Sequence, residues 1–150
     1  MFFDSAIGLS CCRVGHAVAP TPAQAIAKET FVLRPIKFSS SGPEGWMQKP
    51  DVPQETAKFI EGLPIGNDHV YFERHNPRFR TGIWRSQPYT EWYDSYAADE
   101  FMYVLEGEVT LENDGFSETY RAGEAFFVPK GFSGFWRQTT PMLKFYVIIE

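Results

Sequence analysis

Glu100-Phe-Met-Tyr-Val-Leu-Glu-Gly107 and, after a hairpin, Gly123-Glu-Ala-Phe-Phe-Val-Pro129-Lys-Gly131 are the stretches whose reading decides the fold. In the first, Glu100, Met102 and Val104 share one face of an extended strand, while Phe101, Tyr103 and Leu105 take the other. Gly107 follows, where a residue without Cβ permits a sharp bend into Glu108-Val-Thr-Leu. Between the two stretches Asn113-Asp114-Gly115 reads as a tight hairpin, because Asp-Gly supplies the positive φ angles such turns demand. Pro129-Lys-Gly131 lies between two aromatic runs and marks a further turn.

The same pattern extends outward. From His69 onward, short runs rich in β-branched and aromatic residues alternate with turn residues, up to Phe145–Ile149, which is continuously apolar and expected to be buried on both faces. This spacing predicts a barrel or sandwich. Upstream, Thr30–Phe38 reads as an edge strand because Pro35 cannot donate to a ladder, and Ser39–Pro50 reads as a loop. Pro53–Leu63, with Ala57, Phe59, Ile60 and Leu63 at near-helical spacing, predicts one short helix. Residues 1–28 are poor in charge, rich in Ala and without periodicity, and are expected to form a flexible arm. The expected organisation is therefore an arm over 1–28 and a single β domain over 29–150.

With 150 residues the chain suits one hydrophobic core. Aromatic residues make up 17%, which points to a core or cavity built largely from rings. A net charge of −5 with no basic stripe argues against nucleic acid and anionic membranes as partners. Cys11 and Cys12 are adjacent and offer neither an ordinary disulfide nor a metal-binding pair of pairs, so a reducing, cytoplasmic setting is expected. The first residues carry Asp4 where a leader would carry basic residues, and no run is long enough to span a membrane.

The Glu-x6-Gly frame at Glu100–Gly107 and the Gly-x5-Pro-x-Gly frame at Gly123–Gly131 resemble the two motifs of the cupins. The resemblance spans roughly residues 81–149. Gly82-Ile-Trp84, the absence of His from Asp94–Glu100, and Gly134-Phe-Trp136 with Lys144-Phe-Tyr are most similar to the branch containing the ureidoglycine aminohydrolase cupin domain. It implies an all-β double-stranded β-helix, or jelly-roll barrel, here with an N-terminal arm and one short helix. In metal-binding cupins the motifs supply His, His, Glu and His, a set suited to Mn, Fe, Ni or Zn. The resemblance places Asp94 and Tyr96 at the first two positions, Glu100 at the third and Gly134 at the fourth. The aminohydrolase pattern of a carboxylate, two His and a Gln is matched by Asp94 alone.

Parity places Gly134, Trp136 and Gln138 on one strand face, the one from which the missing His would reach inward, so Trp136 is expected to lean into that space. An aromatic-lined interior follows, with Trp84, Asp94, Tyr96, Glu100, Met102 and Trp136 as candidate ligand-binding residues. Glu100, with Tyr96 beside it, is the candidate for acid–base chemistry, because a carboxylate among rings is poised for it unless a cation compensates. Read without function, Glu100 accepts hydrogen bonds from Tyr96 or an Arg and holds the barrel. No cofactor is expected, although Asp94 and Glu100 could hold a weakly bound divalent cation with water. His69, Glu73 and His75 have metal-ligand chemistry but lie too far apart along a strand to share one ion.

Three functions are consistent with the sequence. The first is a cupin with a degenerate metal site that binds an unidentified small organic molecule. The second is an enzyme of the aminohydrolase type using Glu100, and the third a structural or partner-binding cupin whose interior is filled by Trp136 and Phe126. The apolar outer face of Glu100–Leu105 calls for a cover, so a homodimer is expected.

Overall fold

The computed structural model describes residues 34–44, 46 and 57–150. Its ten strands are β1 (Ala57–Gly62), β2 (Gly66–His75), β3 (Arg78–Ser86), β4 (Tyr89–Tyr93), β5 (Asp99–Glu106), β6 (Glu108–Asn113), β7 (Phe116–Arg121), β8 (Ala125–Val128), β9 (Gly134–Gln138) and β10 (Met142–Ile149). They form two antiparallel five-stranded sheets, ordered β1-β4-β9-β6-β7 and β2-β3-β10-β5-β8. This is a jelly roll: strands adjacent in sequence often pass to the opposite sheet, and the two inner faces enclose one core.

Period-two alternation explains most of this. On β5, Glu100, Met102 and Val104 are buried while Phe101 and Tyr103 are exposed. On β9, Gly134, Trp136 and Gln138 are buried with intermediate neighbours between them. Met102, Val104, Val109, Leu111, Val128 and Trp136 make the centre of the core. Burying each aliphatic side chain of this size stabilises the fold by about 1.5–3 kcal/mol. Two glycines are required by the path of the chain. Gly115 closes the β6–β7 hairpin at a φ of 88°. Gly107, at 79°, lies against β10, where an added Cβ would come within 2.1 Å of the Pro141 carbonyl oxygen.

Three expectations need correction. Residues 57–62, expected to be helical, form β1 and pair with β4, with a register shift between Phe59 and Glu61. Ala57 and Phe59 alternate inward at period two, and Ile60 and Leu63, counted toward a helical stripe, are 60% and 59% exposed. Pairing with β4 prevails over a weak local helix signal. Residues 53–56 of that segment lie outside the described residues, as do the arm at 1–28 and residues 30–33 of the expected edge strand. Residues 34–38 form no ladder. There the chain is held by side chains, with Phe38 stacked on Tyr71 at 4.4 Å and the Tyr71 hydroxyl bonded to both backbone groups of Ser39. Finally, β10 is not buried on both faces: Tyr146 and Ile148 are buried, whereas Phe145 and Val147 are intermediate and Ile149 is exposed.

Candidate functional site

Trp84 on β3, Tyr96 between β4 and β5, Glu100 and Met102 on β5, and Trp136 on β9 are all buried in the interior. Tyr96 is set by two backbone bonds that tie its strandless segment to the loop before β9: its N–H donates to the Phe132 carbonyl, and its carbonyl accepts from Gly131 N–H. Its hydroxyl then donates to Glu100 Oε2 at 2.5 Å.

The residue that joins this group is Lys144. Its Nζ lies 3.0 Å from Glu100 Oε1 and 3.0 Å from Met102 Sδ. It also stands 4.9 Å from the ring centroids of both Trp84 and Trp136, one on each sheet. An ammonium between two indole faces gains cation–π attraction, which is largest where water is excluded. Sequence reading left Lys144 out of the interior because lysines are seldom buried. The available signal was parity: Met142, Lys144, Tyr146 and Ile148 share one face of β10, and all are buried.

A second carboxylate lies nearby. Glu91 on β4 is buried and accepts a short hydrogen bond from the Tyr93 hydroxyl. The Tyr93 and Tyr96 rings meet edge to face at 4.8 Å. Burial, reinforced by the Glu100 charge, pushes the Tyr96 phenol well above its ordinary range. Burial followed by Tyr96, Tyr89 and Glu91 does the same for Tyr93. Both phenols are therefore proton donors to carboxylates and not phenolate bases.

Asp94, predicted to line the site, does not reach it. It follows β4, where alternation ends, and its carboxylate faces outward to Lys58 Nζ at 2.7 Å and Trp92 Nε1 at 3.0 Å. These partners hold its carboxyl below the usual range, Lys58 first.

The metal set implied by the resemblance does not fit these residues. Asp94 points away and Gly134 has no side chain. A Cβ on Gly134 would come within 2.5 Å of the Glu112 carbonyl oxygen and 2.7 Å of the Phe132 ring. Glu100 already faces an ammonium on one oxygen and a phenol on the other. Among the described residues no three His, Cys, Asp or Glu side chains gather as a metal site. His69 is turned to the Tyr71 ring at 4.7 Å, and Glu73 and His75 are exposed.

Two buried polar atoms of β9, Trp136 Nε1 and Gln138 Oε1, have no hydrogen-bond partner. The other end of the Gln138 amide donates to the carbonyls of Ser86 and Gln87, which fixes its orientation. Buried polar groups are nearly always paired, so such atoms mark where water or a ligand group belongs.

The jelly roll and the glycine and carboxylate frame around its interior are similar to those of the cupins. More narrowly, residues 74–146 match the family model of the EutQ-like cupin domain. Among solved structures, a DUF861-family protein of unknown function from Pseudomonas syringae pv. tomato shares 28% identity, with a TM-score of 0.62 over 74% of this chain and 46% of its own. This chain thus spans less than half of that protein. A candidate ethanolamine utilization protein Q from Salmonella typhimurium shares the fold at 17% identity, with a TM-score of 0.50 over 69% of this chain and 97% of its own. The EutQ protein of Clostridium difficile aligns at 23% identity and a TM-score of 0.49, over 57% and 68% of the two chains. No protein of curated function matches the sequence.

Proposed function

We propose that the barrel interior binds a small organic molecule through a hydrogen-bond acceptor, a carboxylate or carbonyl oxygen, presented to Lys144 between Trp84 and Trp136. One observation carries this reading. The Lys144 ammonium has three hydrogens and, among the described residues, one strong acceptor, Glu100, its other polar neighbour being a thioether. Trp136 Nε1 adds a second donor without a partner. Donors in excess at an aromatic-lined position favour an acceptor-bearing, partly apolar ligand. Glu100 balances the ammonium, and Tyr96 fixes Glu100.

A second reading, the structural cupin, is favoured by a different observation. Trp136 is 2% exposed and its ring lies 6.4 Å from that of Phe126, so these residues pack together in the core. The aminohydrolase reading gains no support from Asp94, its one matching residue, which faces Lys58. A thermal-shift screen of small carboxylates and carbonyl compounds separates the readings. Ligand binding predicts saturable stabilisation by at least one class, absent in Lys144→Met. A screen in which none stabilises the wild type leaves the structural reading.

The partner we propose is a second copy of the chain. Phe101, Tyr103 and Phe127 are exposed together on the outer face of β5 and β8, and a self-complementary two-fold contact would cover them.

A further inference from the structure

We propose a second site, separate from the barrel interior, on the outer face of the β2-β3-β10-β5-β8 sheet. There Arg85 and Asn67 would take the carboxylate of a small zwitterion, and Glu106 its amine. A cavity of about 440 Å³ lies there, closed on one side by Ser40, Ser41 and Trp46. That volume is within the range of about 300–1,000 Å³ usual for small-molecule sites.

The ladder places the polar groups in one row. Asn67 pairs with Arg85, Arg85 with Leu143, and Leu143 with Glu106, so the row crosses β2, β3, β10 and β5. Arg85 is held from two sides. Its Nε donates to Asn67 Oδ1 at 3.0 Å, and its guanidinium lies 4.6 Å from the Trp46 ring. Its two terminal nitrogens have no acceptor among the described residues. Asn67 is 1% exposed, and its Nδ2 is buried without a partner, as is Trp46 Nε1. Every unmet group at this end is a donor, and a planar guanidinium with free terminal nitrogens suits a carboxylate.

Glu106, at the other end of the row, has no cation partner among the described residues. Two strand spacings separate it from Arg85, about 10 Å between backbones. Leu143, between them, gives an apolar floor suited to methylene groups. Opposite unpaired charges with an apolar middle describe an amino acid whose amine and carboxylate stand several carbons apart. The position of Trp46 depends on Gly42, where an added Cβ would come within 2.1 Å of the indole.

The test is a titration of the isotope-labelled full chain with aminocaproate, caproate and hexylamine, followed at the Trp46 indole N–H, which Trp46→Phe assigns. A saturable shift with aminocaproate is expected, with both single-charge analogues weaker by about tenfold or more. Arg85→Gln and Gly42→Ala should abolish it, and Glu106→Gln should reduce aminocaproate to the level of caproate. Arg85 and Glu106 are exposed, so these variants should keep the wild-type melting curve. No shift at about 10 mM of any probe, or undiminished binding in Arg85→Gln, overturns the proposal. Caproate binding as tightly as aminocaproate overturns the role of Glu106. Lys144 faces the interior and does not line this cavity, so failure of this proposal and failure of the interior reading are distinguishable.

Discussion

Lys144 and Glu100 form an ion pair of 3.0 Å with side chains only 7% and 5% exposed, yet they do not stand opposite each other. On the β5–β10 ladder Lys144 faces Val104 and Glu100 faces Ile148. The contact is made diagonally by two long side chains that meet beside Met102. A cation supplied by the chain thus occupies one oxygen of Glu100, and the Tyr96 hydroxyl occupies the other.

Breaking this pair from one side leaves a buried charge. Lys144→Met and Glu100→Leu should each destabilise the protein by about 3–5 kcal/mol, whereas Lys144→Met with Glu100→Leu should recover much of the loss, because an apolar pair has no charge to desolvate. Urea unfolding of the four proteins measures the coupling. Single variants costing under about 1 kcal/mol would mean that water reaches the pair.

The barrel was legible in the sequence because alternation is a direct consequence of strand geometry, and β5 and β9 follow it residue by residue. Trp84, Tyr96, Glu100, Met102 and Trp136 come together for that reason. Asp94 was misplaced because it lies just beyond β4, where parity no longer applies. Lys144 and Glu91 were missed because charge normally signals an outer face, and burial is permitted here by the pairing of Lys144 with Glu100 and by the hydrogen bond that Glu91 accepts from Tyr93. Residues 57–62 were misread because a short run of apolar residues fits both periods, and the pairing that decides between them is non-local.

The buried phenols set an alkaline limit. Tyr96 and Tyr93 keep their protons in the folded state above the ordinary value of 10.0, while in the unfolded chain they ionise near pH 10. The unfolded state then binds fewer protons, so this contribution to stability is unchanged below about pH 10 and falls above it, by about 1.4 kcal/mol per pH unit for each tyrosine. Tyr96→Phe should make that fall shallower. Urea unfolding from pH 8 to 11, with tyrosinate absorbance, checks it. Two interior phenols that titrate near pH 10 while the protein is still folded would refute the assignment.

Chelation should change little. Glu100 is held by Lys144 and Tyr96, and Asp94 by Lys58, so among the described residues no pair of free carboxylates faces the interior. Melting curves with and without EDTA, and with added Mn or Zn, should superimpose. Stoichiometric metal retained through purification and lost in Glu100→Gln would show that a cation displaces Lys144.

Phe101 and Phe127 are cross-strand partners at the edge of a sheet, 44% and 54% exposed, with Tyr103 beside them at 39%. Leaving this much ring surface in water is unfavourable, and β8, as an edge strand, also has backbone groups with no strand to pair with among the described residues. A second copy applied about a two-fold axis would cover both at once, since the patch and the edge are contiguous. Light scattering should give twice the chain mass of 17.2 kDa. Phe127→Glu should return the single mass with little loss of fold, because its side chain already faces outward. A wild-type protein that runs as a monomer at micromolar concentration would remove the second copy as the occupant of this face.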